Sequence, residues 1–121
     1  MNNKPMNEKI DLIIPLSLVE YLSHERKFTN RNKFTRTRAF YDLIYRCLQA
    51  RQNNEDMAVN ISELSKSWLW SMPSVSKFVD MLCKFNIASV EKMINNKIVI
   101  IKSEVIKKTL INENNSLKDK T

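Results

Sequence analysis

The chain has 121 residues, the length of one ordinary domain, and is 43% hydrophobic and 27% charged. Lys and Arg number 20 against 13 Asp and Glu, a formal net charge of +7, which favours a polyanionic partner: nucleic acid first, an anionic membrane face second. With no glycine, one histidine and two distant cysteines, the sequence excludes a glycine-rich phosphate cradle, a readable zinc set and a Ser-His-Asp triad, so no cofactor, metal or catalytic activity is expected.

Residues 1–9 read as a flexible polar N-terminus, too polar for a secretory signal, and no run reaches the ~18 apolar residues that span a bilayer. A cytoplasmic protein without membrane attachment is expected, and free thiols at Cys47 and Cys83, each inside an apolar helical pattern, suit that compartment. Residues 10–16, IDLIIPL, read as an edge strand stopped by Pro15. SLVEYLSH then forms a short helix with Leu18, Tyr21 and Leu22 inward and His24 solvated at its end.

Residues 25–38, ERKFTNRNKFTRTR, carry Arg26, Lys27, Arg31, Lys33, Arg36 and Arg38, with Phe28 and Phe34 as apolar tacks. The stretch is either a solvated loop or an arm that contacts a nucleic-acid backbone. Thr35 or Thr37 can cap the next helix through its hydroxyl. Ala39, Phe40, Leu43, Ile44, Cys47 and Leu48 recur at three- and four-residue spacing and define that helix's inner face. QNNED ends it, and residues 57–60 suit a single strand rung.

Asn60 or Ser62 can cap a helix over ISELSKSW, with Ile61, Leu64 and Trp68 inward. A turn of about three residues leads to a second helix, with Ser71 as N-cap and Pro73 in the first turn, where a missing N–H costs little. Val75, Phe78, Val79 and Leu82 make its inner stripe, while Ser74, Ser76, Lys77, Asp80, Met81 and Lys84 lie wholly or partly outside. Asn86 can take the left-handed cap usually filled by glycine. ASVEKM and IVIIK, flanking Asn95-Asn96, read as a hairpin with a tight turn. SEVIKKTLI reads as a last short helix, and residues 112–121 as a disordered tail.

The order helix, short strand, helix, turn, helix, hairpin defines a mainly α domain with a small β-hairpin, a winged helix-turn-helix, over residues 10–111. In such a motif the turn lies over the core. Trp68 is then buried between helices, and Trp70 packs on the next helix or on the basic arm; a Trp70 exposed to stack on a base is the alternative.

ISELSKSWLWSMPSVSKFVDML resembles the winged-helix domain of phage replisome-organiser and DnaD-type primosomal proteins. The likeness is carried by Leu64, Lys66, Trp68, Trp70 and Ser71, then Val75, Phe78 and Leu82. KFTRTRAFYDLIYRCLQA is similar to the helix that precedes this motif in the family, and the likeness covers roughly residues 10–102. Leu69 stands where the family has glycine, which implies altered turn geometry. The C-terminal DNA-remodelling region of the larger relatives is missing, so a single module that binds DNA or a partner is expected. The resemblance implies replication initiation or regulation in a phage or mobile element. The same fold would also serve a transcriptional regulator.

On this reading the helix from 72 to 85 enters the major groove of double-stranded DNA. Ser71 and Ser74 offer a phosphate the N–H groups of its first turn, and Ser76 and Lys77 reach base edges or backbone. Lys84 adds charge farther along. Lys92, Lys97, Asn95 and Asn96 on the wing touch the adjacent groove, and Arg36 and Arg38 grip a flanking phosphate. The helix has no Arg for guanine readout, and Asp80 repels phosphate, so binding should be modest and backbone-dominated. The rival reading is a protein–protein module, a homodimer or a replication-protein partner, using residues 10–22 with Met72 and Met81 as adaptable contacts.

Overall fold

The computed structural model describes residues 8–25, 32–55 and 57–110. The expected flexible N-terminus up to residue 7, the polar tail, and Arg26, Lys27, Phe28 and Arg31 of the basic stretch lie outside the described residues. The described chain is a mixed α/β fold of four helices and two small antiparallel sheets. Strand β1 (Glu8–Leu12) leads to α1 (Leu16–Ser23) and α2 (Arg36–Gln52); β2 (Val59–Asn60) leads to α3 (Ile61–Trp68) and α4 (Met72–Lys84). Strands β3 (Ala88–Lys92), β4 (Lys97–Ile101) and β5 (Ile106–Leu110) complete the order.

Side-chain chemistry sets the helix ends. Thr35, Asn60 and Ser71 each accept an otherwise unpaired backbone N–H, from Arg38, Glu63 and Ser74 respectively, at the starts of α2, α3 and α4. Pro73 occupies the first turn of α4. Asn86 ends α4 at φ 66°, where its N–H reaches the Cys83 carbonyl and the Ile87 N–H reaches the Leu82 carbonyl. This crossed pair of bonds is the Schellman arrangement, with asparagine in the glycine position.

The core lies between α2, α3, α4 and the three-stranded sheet β2-β4-β3. Leu43, Leu64, Trp68, Val75, Leu82 and Val99 are fully buried in it, each contributing roughly 1.5–3 kcal/mol of hydrophobic stabilisation. Ala88 pairs with Ile101 and Val90 with Val99, a register that turns one row of side chains into that core.

Three features depart from the sequence expectations. The last segment is not a helix. Ser103–Val105 form a single 3-10 turn, and β5 pairs with β1 as a separate antiparallel ribbon, Leu12 opposite Ile106 and Glu8 opposite Leu110. Val105 and Ile106 bury their branched side chains, and Arg51 on α2 donates to the carbonyls of Ser103 and Ile106. In a continuing helix the Ser103 carbonyl would accept from residue 107 instead. Second, the first strand takes in Glu8 and Lys9 ahead of residue 10, because the ribbon pairs them with Leu110 and Thr109. Third, the hairpin turn centres on Ile94-Asn95, not Asn95-Asn96: Met93 and Asn96 exchange backbone bonds at 2.7 and 3.4 Å. The register that buries Ala88, Val99 and Ile101 requires that centre.

Candidate nucleic-acid interface

The turn between α3 and α4 is held by aromatic packing. Trp68 Nε1–H donates to Asp42 Oδ2 on α2 at 2.8 Å, and Arg46 Nε–H donates to the same oxygen. Trp70 is buried too, and its Nε1–H donates to the Phe34 carbonyl at 2.8 Å, while the Phe34 N–H donates to the Trp68 carbonyl. The rings of Trp68, Trp70 and Phe78 meet edge to face at centroid distances of 5.0–5.7 Å, and Tyr21 from α1 stacks on Phe78. Both tryptophans are therefore structural, and Trp70 is not displayed to stack on a base. Leu69 takes φ 60°, ψ 41°, the left-handed conformation that glycine adopts most readily.

With Val75, Phe78, Val79 and Leu82 buried, α4 turns its other side outward. Met72, Ser74, Lys77, Asp80 and Lys84 are exposed and Ser76 is half-buried. Lys77, Asp80 and Lys84 fall on one stripe at helical spacing, with the carboxylate between two ammonium groups.

A cleft lies on each side of this stripe. The first, of about 410 Å³, brings Ser74 and Lys77 of α4 together with Arg36 and Lys33, and includes Tyr21 and the carboxylate of Glu25. The second, of about 400 Å³, lies between α4 and the hairpin, where Ser76 and Met72 face Lys92, Asn95, Asn96 and Lys97. Lys84 lines neither cleft; it closes the far end of the α4 stripe.

Two expected phosphate contacts are changed. Arg36 does not reach outward: its guanidinium donates to the carbonyls of Tyr21 at 2.7 Å and His24 at 3.1 Å and lies 4.0 Å over the Tyr21 ring. It clamps the end of α1 to the start of α2, and its backbone N–H donates to Glu25, so this helix start is already occupied by a carboxylate. At α4, Ser71 Oγ takes the Ser74 N–H and donates to Ser74 Oγ, and Pro73 has no N–H. In that first turn only the Met72 N–H remains for an anion, which makes the site weaker than a free helix start. Arg38 is exposed and stacks its guanidinium 4.0 Å over Phe34.

Burial pushes the Tyr21 phenol above its ordinary pKa, against the opposing charge of Arg36. Burial, with help from Asp80, likewise raises the Cys83 thiol; Cys47 is buried and is not in a disulfide. His24 is exposed at the end of α1, its Nδ1 2.8 Å from the Glu20 carbonyl oxygen. Sequence reasoning did not single out Glu25, Met93 or Ile94, and placed Lys33 in a stretch read as either a solvated loop or a backbone-contacting arm. Their membership follows from the packing of α1 against α2 and from hairpin register, which no local motif reports.

No helix among the described residues is long and apolar enough to cross a membrane. In comparisons with known proteins, no family model, curated protein or solved structure matches the chain.

Proposed function

We propose that the chain is a winged helix-turn-helix module that binds double-stranded DNA, with α4 in the major groove and the β3–β4 hairpin as its wing. The observation that carries this reading is the uncovered outer face of α4, flanked by a basic cleft on one side and a hairpin bearing Lys92 and Lys97 on the other. The order α2, β2, α3, α4, β3, β4 and the sheet order β2-β4-β3 support it, since they seat the hairpin beside α4. Lys77, Lys84, Lys92, Lys97 and Arg38 supply phosphate contacts, and Ser76, Asn95 and Asn96 supply polar contacts within the grooves. Arg36 acts by positioning α1 and α2.

The role is binding rather than catalysis. With no arginine on α4 to read guanine, affinity rests on the backbone, about 10⁻⁴–10⁻⁶ M at physiological salt for one module. Replication initiation or regulation in a phage or mobile element is the process the resemblance favours. The test is anisotropy of a labelled duplex titrated with protein and salt. Lys77→Glu, Lys97→Glu and Arg38→Glu should each weaken binding, and three unaffected variants would remove the groove-docking reading.

One observation favours a second reading, partner contact through the N-terminal face. Ile13 and Leu16 are 58% and 71% exposed, and Val19 lies one turn beyond Leu16 on the same side of α1. Light scattering tests it: a dimeric mass that Leu16→Lys reduces to monomer supports it, and a monomeric wild type refutes self-association there.

A further inference from the structure

The hairpin tip combines two choices that are unfavourable in an isolated domain. Lys92 and Lys97 are directly opposed across the β3–β4 ladder, and like charges at opposed positions repel. Beyond them, Ile94 is the first central residue of the two-residue turn and is 96% exposed, with Met93 beside it 59% exposed. Turn centres favour Asn, Asp and Gly, and a branched apolar side chain gains nothing there from water or from the fold. Asn95 and Asn96 complete the tip, both exposed. Local rules are broken in this way where a surface is completed by something else.

We infer that the wing tip is a minor-groove wedge: Ile94, backed by Met93, inserts between base pairs of an A·T-rich step and kinks the duplex. This inference rests on the DNA-binding reading and adds a mechanism to it. The opposed lysines stand on one face of the ribbon, so both can meet the phosphates along one wall of a minor groove, which turns their mutual repulsion into a reason for binding. Asn95 and Asn96 carry amide donors for the A·T acceptors on the groove floor. Size points the same way. The strands of a hairpin are about 4.8 Å apart before side chains are added, and a minor groove is about 6 Å wide. The tip therefore enters only as the groove opens, and apolar wedges open it by partial unstacking, with kinks of about 20–90° toward the major groove. The second cleft fits the same placement. A sugar–phosphate strand running between a helix in one groove and a wing in the next would pass over Met72 and Met93, with Ser62 and Ser76 at its edges.

The test uses the full chain and an A·T-centred duplex of about 30 bp, end-labelled for energy transfer, with 2-aminopurine at the central step in a second version. Wild type should shorten the end-to-end distance and raise 2-aminopurine fluorescence about twofold or more. Ile94→Ala, a change at an exposed turn position, should still bind, about tenfold more weakly, with both signals lost; Ile94→Phe should restore them. Lys77→Glu should weaken binding itself. A wild type that binds without bending or unstacking overturns the wedge and leaves the DNA reading intact, as does an Ile94→Ala protein that still gives both signals. No duplex binding at low salt overturns both. So does Ile94-dependent sedimentation with anionic phosphatidylserine vesicles in its place.

Discussion

At the scale of single residues, the absence of glycine is resolved three times among the described residues. Asn54, Leu69 and Asn86 hold positive φ at 58°, 60° and 66°. Asparagine tolerates this region, and a leucine pays for it: its Cβ crowds the following carbonyl, at roughly 1–2 kcal/mol. Leu69→Gly should therefore raise stability by about 1 kcal/mol after the extra freedom of glycine in the unfolded chain is deducted, and Leu69→Ala should not. Urea midpoints at constant slope decide this, and a lower midpoint for Leu69→Gly would show that the turn does not carry that strain. Trp70→Phe should cost about 1–3 kcal/mol, since the Phe34 carbonyl loses its indole donor. The raised pKa of Cys83 has a chemical consequence. Its thiol keeps its proton to higher pH than a free cysteine, so at about pH 8 iodoacetamide should label it more slowly than a small thiol. The linked stability is complete below the ordinary cysteine value and falls as pH rises through the folded one. Labelling at the free-thiol rate would contradict this.

At the scale of elements, what could be read depended on how local the signal was. The helices α2, α3 and α4 announced themselves through apolar spacing and capping residues, and the inner stripe of α4 is the one its periodicity defines. The hairpin was visible as two branched runs. Its centre was not, because an Asn-Asn pair is a local turn signal, whereas the register follows from burying Ala88, Val99 and Ile101 against the helices. β5 was misread for a related reason: its partner β1 lies at the opposite end of the chain, and SEVIKK alone satisfies a helical pattern. Because Ile106 is buried where β5 begins, Ile106→Ala should cost about 2–4 kcal/mol in urea unfolding. A cost below about 0.5 kcal/mol, the size of an ordinary surface substitution, would show that this segment does not dock there. Asn86→Ala should cost about 1 kcal/mol by forcing alanine into the left-handed cap, and Asn86→Gly should cost nothing.

At the scale of the whole molecule, a chain with net charge +7 presents an α4 face that no other part of the described structure covers. That face was legible because it is the complement of a buried stripe. The roles of its surroundings were not. Arg36 looked like a phosphate ligand by charge and position, yet two carbonyls at the end of α1 claim its guanidinium. Ile94 carried no reading of its own in the sequence, and the hairpin register puts it at the tip. The measurement that bears most directly on the DNA reading is duplex affinity against salt concentration, for wild type and for Lys77→Glu. We expect log K to fall linearly with log[salt] at a slope of about −3 to −5, as for four or five neutralised phosphates, with Lys77→Glu weaker and its slope shallower by about 1. Affinity that does not respond to salt, or a Lys77→Glu protein that titrates like wild type, would contradict it.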